Sequence, residues 1–481
     1  MKSHKIAEGV WQIDPDQKPG MRVPAKIYAS EKLFSSMDEG VYDQITNVAC
    51  LPGIVKQAMV MPDGHWGYGF PIGGVAAFST KEGIISPGGI GFDINCGIRM
   101  LRTNLTYDEV KPKLSELVNM LFKTIPTGVG CKGFVKLDRK RFNDVMRDGV
   151  KWCIDNGYAT DADYDSVEEN GHLQWADPSK VSDKAIKRGI DQLGTLGSGN
   201  HFLEIEVVRD ENIADKELAA KLGLDRPNQI ALTIHCGSRG FGHQIATDYL
   251  KVFAEAIKKY GIEVRDKELA CAPFSSPEGQ AYFAAMACAA NNAFANRQVI
   301  AHRVRQSFAQ VFNKSEHELG IATVYDVAHN IAKREMHMVD GKQTELVVHR
   351  KGATRAFGPG REGLPSRYRD IGQPVIVGGS MQAGSYLLVG TNRADEETFG
   401  STLHGSGRTM SRMKAKKQVR GDELQRKMHR DGIYVRAASM RGLAEEAGFA
   451  YKNIDDVVEA VDNLGISKRV AKLIPVGNIK G

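Results

Sequence analysis

The chain has 481 residues, 42% of them hydrophobic and 25% charged, with a formal net charge of +6. This is the composition of a folded globular protein with ample material for a core, and it excludes a disordered or low-complexity chain. Seven cysteines, an odd number widely scattered and without a C-x-x-C pair, exclude a disulfide scaffold, a zinc ribbon and a thioredoxin-type site. No apolar signal segment follows Met1–Glu8 and no run reaches about 18 uninterrupted apolar residues, so the expectation is a cytoplasmic protein with no membrane partner. The length prior allows about three domains, but no linker-like tract marks a boundary. The expected organisation is a single mixed α/β (α+β) globular domain over 1–481, with 128–191 as a peripheral subregion. Charge is unevenly spread: Arg350–Arg369 holds six basic residues against one acidic, and Arg408–Arg430 nine against two. Such clusters attract polyanions such as RNA, although a solvated helix face also explains any one of them.

In chain order, Ile6–Ala29 reads as short strands with turns, and Glu31–Cys50 as helical. Met59–Gly74 then alternates glycines with polar and aromatic residues around Pro62-Asp63-Gly64-His65, a pattern expected of a folded loop lining a site. Ser86–Arg99 places Asp93 and Cys96 three apart in a glycine-rich run. Alone, this is a tight turn with a buried thiol; with later histidines it becomes a candidate metal site. Val110, Leu114, Leu117, Val118 and Leu121 have the spacing of an amphipathic helix over Tyr107–Ile125. After the weakly patterned 128–191 comes a Gly/Ser loop, Leu193–Asn200, that runs through His201 into an alternating strand. Ile230–Ile234 is a strand delivering His235-Cys236-Gly237-Ser238-Arg239, with a helix expected over Gln244–Lys259. Ala281–Phe312 is alanine-rich and helical, with a break expected at Asn291-Asn292. Thr323–Asn330 is a strand ending on His329. Ser380 and Ser385 sit in a second glycine-rich stretch, and His404-Gly405-Ser406-Gly407-Arg408 leads into an expected basic helix, Met410–Lys417. A short helix over Ile454–Leu464 precedes the tail.

One aspartate, one cysteine and three strand-associated histidines (Asp93, Cys96, His201, His235, His329) form a donor set of mixed hardness, suited to Mn²⁺, Zn²⁺, Fe²⁺ or Co²⁺. Five ligands exceed a tetrahedral structural zinc site, so two ions sharing a ligand is the natural reading, an arrangement suited to phosphoryl transfer. His404 is left over. Beside metals and phosphate a neutral imidazole is a competent nucleophile.

Six ordered motifs carry a resemblance: Pro62–Gly67, Gly91–Gly97, Gly197–Phe202, His235–Arg239, Ala328–Asn330 and His404–Arg408. Together they are similar to those of the RtcB-type RNA-splicing ligases, over about residue 50 to the closing Lys480-Gly481. The resemblance implies an RtcB-like fold whose loops and strand ends converge on a dinuclear manganese site. It implies an enzyme joining an RNA 3′-phosphate or 2′,3′-cyclic phosphate to a 5′-hydroxyl with GTP, in tRNA splicing and RNA repair, with an archease-type helper. Carried onto this chain, Cys96 bridges two Mn²⁺ ions, Asp93 and His201 complete one, and His235 and His329 the other. His404 becomes guanylylated, with Asp63 orienting it. Asn200, Glu204, Asn330, Ser380, Ser385, Gly405, Gly407, Tyr451 and Lys480 form the guanylate pocket; Arg239, Arg408 and Arg412 contact phosphate. Ser406 stands where the family more often has alanine. The enzymatic alternative is a two-metal RNA phosphoesterase without guanylylation; the non-enzymatic one is an RNA-binding protein with a structural metal.

Overall fold

Two large sheets and one long helix set the frame. The computed structural model describes residues 2–481. The seven-stranded sheet runs, in spatial order, His4–Ala7, Val10–Ile13, Ala25–Tyr28, Ile54–His65, Ile72–Ser79, Lys342–Lys351, Asn330–Val339. The eight-stranded sheet runs Ala322–Ala328, Gly97–Thr106, Gln229–Cys236, Phe202–Val208, Ser467–Lys480, Ser385–Gly390, Pro374–Gly378, and Tyr434–Ala437 pairs parallel to Ser467–Lys480 off that path. Neighbouring strands are otherwise antiparallel, except Ala25–Tyr28 on Ile54–His65. The result is the expected mixed α+β single domain.

The strands at the centre of the second sheet carry almost no solvent-facing side chains: Phe202–Val208 and Gln229–Cys236 are buried along their whole length. One face packs under the helices Leu114–Thr124 and Pro277–Phe312; the other carries Phe202 and His235 at the pocket and Val208 and Ala231 in a separate apolar cluster, so the strand Phe202–Val208 alternates in sequence although both its faces are covered. The closing residues, expected as a tail, form a 14-residue strand in mid-sheet, with Lys480 opposite Phe202 and Asn478 opposite Glu204.

The helix Pro277–Phe312 is 36 residues long and unbroken. Ser276 caps it, accepting from the Gly279 amide, Pro277 occupies its first turn, and Asn313 stops it in the left-handed conformation. The break expected at Asn291-Asn292 is absent because the Asn291 amide does not compete for its own helix backbone. It donates instead to the carbonyls of Met146 and Arg147 at 3.0 and 2.9 Å, tying 128–191 to the helix. Within that segment Phe142, Val145, Met146, Val150 and Cys153 share a buried cluster with the helix's Met286, Ala290 and Phe294.

Three further expectations are corrected. Glu31–Cys50 is two helices, Glu31–Ser35 and Glu39–Val48, the second capped by Asp38. The Met59–Gly74 loop is mostly strand, Ile54–His65 and Ile72–Ser79, and only Trp66–Pro71 loops out; the register shifts between Val60 and His65, where a Cβ on Gly64 would meet Val60 Cγ1 at 2.4 Å. The basic helix shrinks to Arg412–Ala415, since a run with no acidic residue offers no i,i+4 partner to offset its like charges. Among the described residues no helix is long and apolar enough to cross a membrane.

Candidate functional site

The Asp93–Cys96 turn is closed by its own backbone, the Cys96 amide donating to the Asp93 carbonyl at 3.0 Å, with Asn95 at φ 57°. It abuts the neighbouring strand end: the His329 amide donates to the Cys96 carbonyl at 2.8 Å, and the Asn95 amide to the Asn330 carbonyl at 2.7 Å. His235 lies opposite both Ile98 and Phe202 in the sheet, and His201 immediately precedes the strand Phe202–Val208. Sheet register therefore delivers residues distant in sequence to one point.

There the five expected ligands meet. Cys96 Sγ lies 3.4 Å from His201 Nε2 and 3.2 Å from His235 Nε2. His235 Nε2 is 3.3 Å from His329 Nε2, and His201 Nε2 is 2.8 Å from Asp93 Oδ2. Two triads result, Asp93/Cys96/His201 and Cys96/His235/His329, with donor atoms within 4.8 Å of one another and Cys96 common to both. Ions bound at about 2.0–2.3 Å in tetrahedral geometry hold their ligands roughly 3.3–3.8 Å apart. The contacts among Cys96 and the histidines, 3.2–3.4 Å, lie at the low end of that range and the His201–Asp93 contact, 2.8 Å, is closer than it, while the nitrogen, sulfur and oxygen donors suit transition-metal ions. His201 Nδ1 is 3.1 Å from the Leu196 carbonyl, and a proton there leaves the Nε2 lone pair for a metal. Arg239 Nη1, which can only donate, lies 3.0 Å from the same Nδ1, so the guanidinium and the Leu196 carbonyl place opposite demands on the proton at that nitrogen. Burial holds His201, His235 and His329 below the usual histidine range, keeping them neutral. Burial and the Asp93 charge push the Cys96 thiol well up.

Beside the triads, the His404 ring lies 4.8 Å, centroid to centroid, from that of His329. Asp63 is fully buried and one of its oxygens, Oδ2, gathers three contacts: His404 Nδ1 at 2.6 Å, the His404 amide at 3.0 Å and the Gly405 amide at 3.2 Å. Burial alone would raise Asp63, but the His404 contacts hold it below the ordinary carboxylate range. The ring is thereby fixed through Nδ1, and Nε2 is its free nitrogen. Gly407 lets the turn approach so closely: at φ 70°, a Cβ there would sit 2.0 Å from the Asp63 carbonyl oxygen. Lys452 braces the same segment, donating to the Gly64 carbonyl at 2.6 Å, and burial lowers it to about 8 against the pull of Asp63.

A pocket of about 870 Å³ opens over the triads, and Asn200, Asn330, Ser380, Gly405, Gly407, Tyr451, Lys480, Arg408 and Arg412 all line it. A smaller one of about 500 Å³ shares Ser380, Tyr451 and Lys452 with it. Glu204 and Ser385 are not on its surface; both are buried behind the wall, Glu204 accepting from Asn478 Nδ2 at 2.5 Å. Arg239 also lies outside the lining, behind His201. Ser406 Oγ is buried with no hydrogen-bond partner, and Lys480, buried over the Phe202 ring at 5.4 Å, has no ion pair among the described residues. Unspent donors of this kind suit a polar, anionic ligand.

Sequence reasoning missed Glu446. It is buried, pairs with Arg412 at 2.8 Å and Arg408 at 3.4 Å, and accepts from the Tyr451 hydroxyl. Burial would raise it, but Lys480, Arg412 and Arg408 bring it to about 2. In the sequence it is one of two adjacent glutamates, just past the end of the short helix Met440–Glu445, with nothing to single it out. Arg297, described below, was missed for the same reason.

Fold and site together define a class: an α+β protein whose pocket brings two side-chain triads able to hold metal ions beside basic residues and a carboxylate-backed histidine. A family model described as tRNA-splicing ligase RtcB matches residues 44–481. Relatives with the name tRNA-splicing ligase RtcB include those of Archaeoglobus fulgidus, 53% identical over 99% of this chain and 98% of the relative, and Thermococcus kodakarensis, 53% over 98% and 97%. That of Methanococcus maripaludis is 52% identical over 99% of both. The chain belongs to the RtcB family.

Proposed function

We propose that the protein is an RNA ligase that joins a 3′-phosphate or 2′,3′-cyclic phosphate end to a 5′-hydroxyl, with GTP and two Mn²⁺ ions, in tRNA splicing and RNA repair. The observation that carries this reading is the His404–Asp63 pair, closed at 2.6 Å, set against two metal-suited triads that share Cys96. Asp93, Cys96 and His201 would hold one ion and Cys96, His235 and His329 the other. Bound there, the ions would supply Lewis-acid stabilisation of charge on phosphoryl oxygens.

The chain's own residues do the rest. With its Nδ1 proton held by Asp63, His404 presents the Nε2 lone pair to the α-phosphorus of GTP; the N–P bond forms, the α–β anhydride breaks and pyrophosphate leaves. A 2′,3′-cyclic end is first hydrolysed, water adding to phosphorus as the P–O2′ bond breaks, and the GMP moiety then passes from Nε2 to an oxygen of the RNA 3′-phosphate. The 5′-hydroxyl then attacks that phosphorus, loses its proton and displaces GMP. Asn200, Asn330, Ser380, Gly405, Gly407, Tyr451 and Lys480 would hold the guanylate in the pocket, with Glu204 and Ser385 behind it. Arg239, Arg408 and Arg412 would carry phosphate charge. Regenerating the guanylylated enzyme is the step an archease-type helper would serve. A reducing cytoplasm suits a centre that needs Cys96 as a free thiol.

Incubation with α-labelled GTP and Mn²⁺ tests this. Acid-labile, base-stable label on the protein, absent in His404→Ala, is the expected result. A phosphoesterase that used His404 only as an acid, or an RNA-binding protein with a structural metal, would stay unlabelled.

A further inference from the structure

Of the four tryptophans, three are packed: Trp11 stacks on Phe34, Trp175 on Phe283, and Trp152 is buried. Trp66 is 63% exposed and lines the mouth of the large pocket. It is not loosely held. A Cβ placed on Gly40 would come within 2.1 Å of indole carbons Cε3 and Cζ3, so the ring is seated directly on the glycine backbone at the first turn of Glu39–Val48. Part of the indole is thus fixed by the fold, while most of it is left to solvent.

The same pocket carries a further aromatic run. Tyr68 meets Phe92 edge-on at 5.2 Å, and Phe92 stacks on His243 at 5.4 Å and 21°. Phe92 adjoins Asp93, so this run reaches the proposed metal centre. Neither metal nor phosphate explains a seated, exposed indole. A flat apolar ligand does, and the basic side chains on the pocket walls require that it come attached to negative charge. An unpaired base on a phosphodiester strand meets both conditions.

We propose that Trp66, seated on Gly40, stacks on an unpaired base of the RNA end that enters this pocket. The inference rests on the RNA-ligase reading and adds to it the requirement that the strand be single-stranded beside the junction.

The test is steady-state ligation of short single-stranded RNAs by the whole protein with GTP and Mn²⁺. Trp66→Ala is expected to raise the RNA KM about tenfold or more, the scale of a lost base–aromatic stack. Trp66→Phe keeps most of the affinity, and Gly40→Ala, which pushes the indole from its seat, behaves like Trp66→Ala. RNAs with one abasic position on either side of the junction identify the stacked base: one of them loses affinity with wild type, and on that RNA Trp66→Ala adds no further loss. A KM change below twofold, or equal losses on intact and abasic RNAs, overturns the proposal. So does a loss seen only when a helper protein is present, which would assign the indole to protein docking. Labelling of wild type by α-labelled GTP, run in parallel, separates failure of this inference from failure of the ligase reading.

Discussion

Cys96 is the residue on which both triads depend. A thiolate has lone pairs enough for two ions, but in the metal-free protein burial and Asp93 hold this thiol protonated at neutral pH. The histidines are the opposite case, since burial keeps them neutral and ready to bind without losing a proton. Metal uptake must therefore expel the Cys96 proton, and affinity must rise as pH rises. Calorimetric Mn²⁺ titrations in buffers of different ionisation enthalpy should show about one proton released per chain, and Cys96→Ala should abolish that release. Proton release that survives the substitution would place its source elsewhere. The motif around Cys96 was legible in the sequence because aspartate, cysteine and glycine sit within one turn. Glu446 was not, because a carboxylate that neutralises two arginines has no local signature and is defined only by what the fold brings to it.

At the scale of elements, the long helix Pro277–Phe312 does more than fill the core. Its buried Arg297 donates to the carbonyls of Asn95 and Cys236 at 2.9 and 2.8 Å, each next to a proposed ligand, and pairs with Asp326 at 2.8 Å, three residues before His329. One guanidinium thus ties together three segments that carry Cys96, His235 and His329. A lysine keeps the charge but lacks the planar fork needed to reach carbonyls and carboxylate together. Arg297→Lys should weaken Mn²⁺ binding about 10- to 100-fold, the usual scale for a group behind the ligands. Free Mn²⁺ followed by electron paramagnetic resonance measures this. A lowered melting temperature with unchanged Mn²⁺ affinity would mean that Arg297 serves the core alone. The helix itself could be read from its alanine-rich run, but its continuity could not. An Asn-Asn pair reads as a break until the 128–191 segment shows where the Asn291 amide goes.

Across the whole molecule, the site is assembled from the turn at 93–96, three strand ends, the 404–408 turn and the C-terminal strand. The ordered motifs made these parts legible separately, and the strands that deliver His201, His235 and His329 fall where alternation and apolar runs put them. Register was not legible: nothing local states that Lys480 lies opposite Phe202, or that Glu204 lies behind the pocket wall rather than on it. Those facts come from pairing between strands more than two hundred residues apart, a long-range property that periodicity does not encode. Convergence on a shared thiolate is likewise a property of the assembled molecule. It is tested most directly by anomalous diffraction at the manganese edge from crystals soaked in MnCl₂. Two peaks per chain are expected, both within bonding reach of Cys96 Sγ, one completed by Asp93 and His201 and the other by His235 and His329. A single peak, or a second peak out of reach of Cys96, would contradict the shared-thiolate centre.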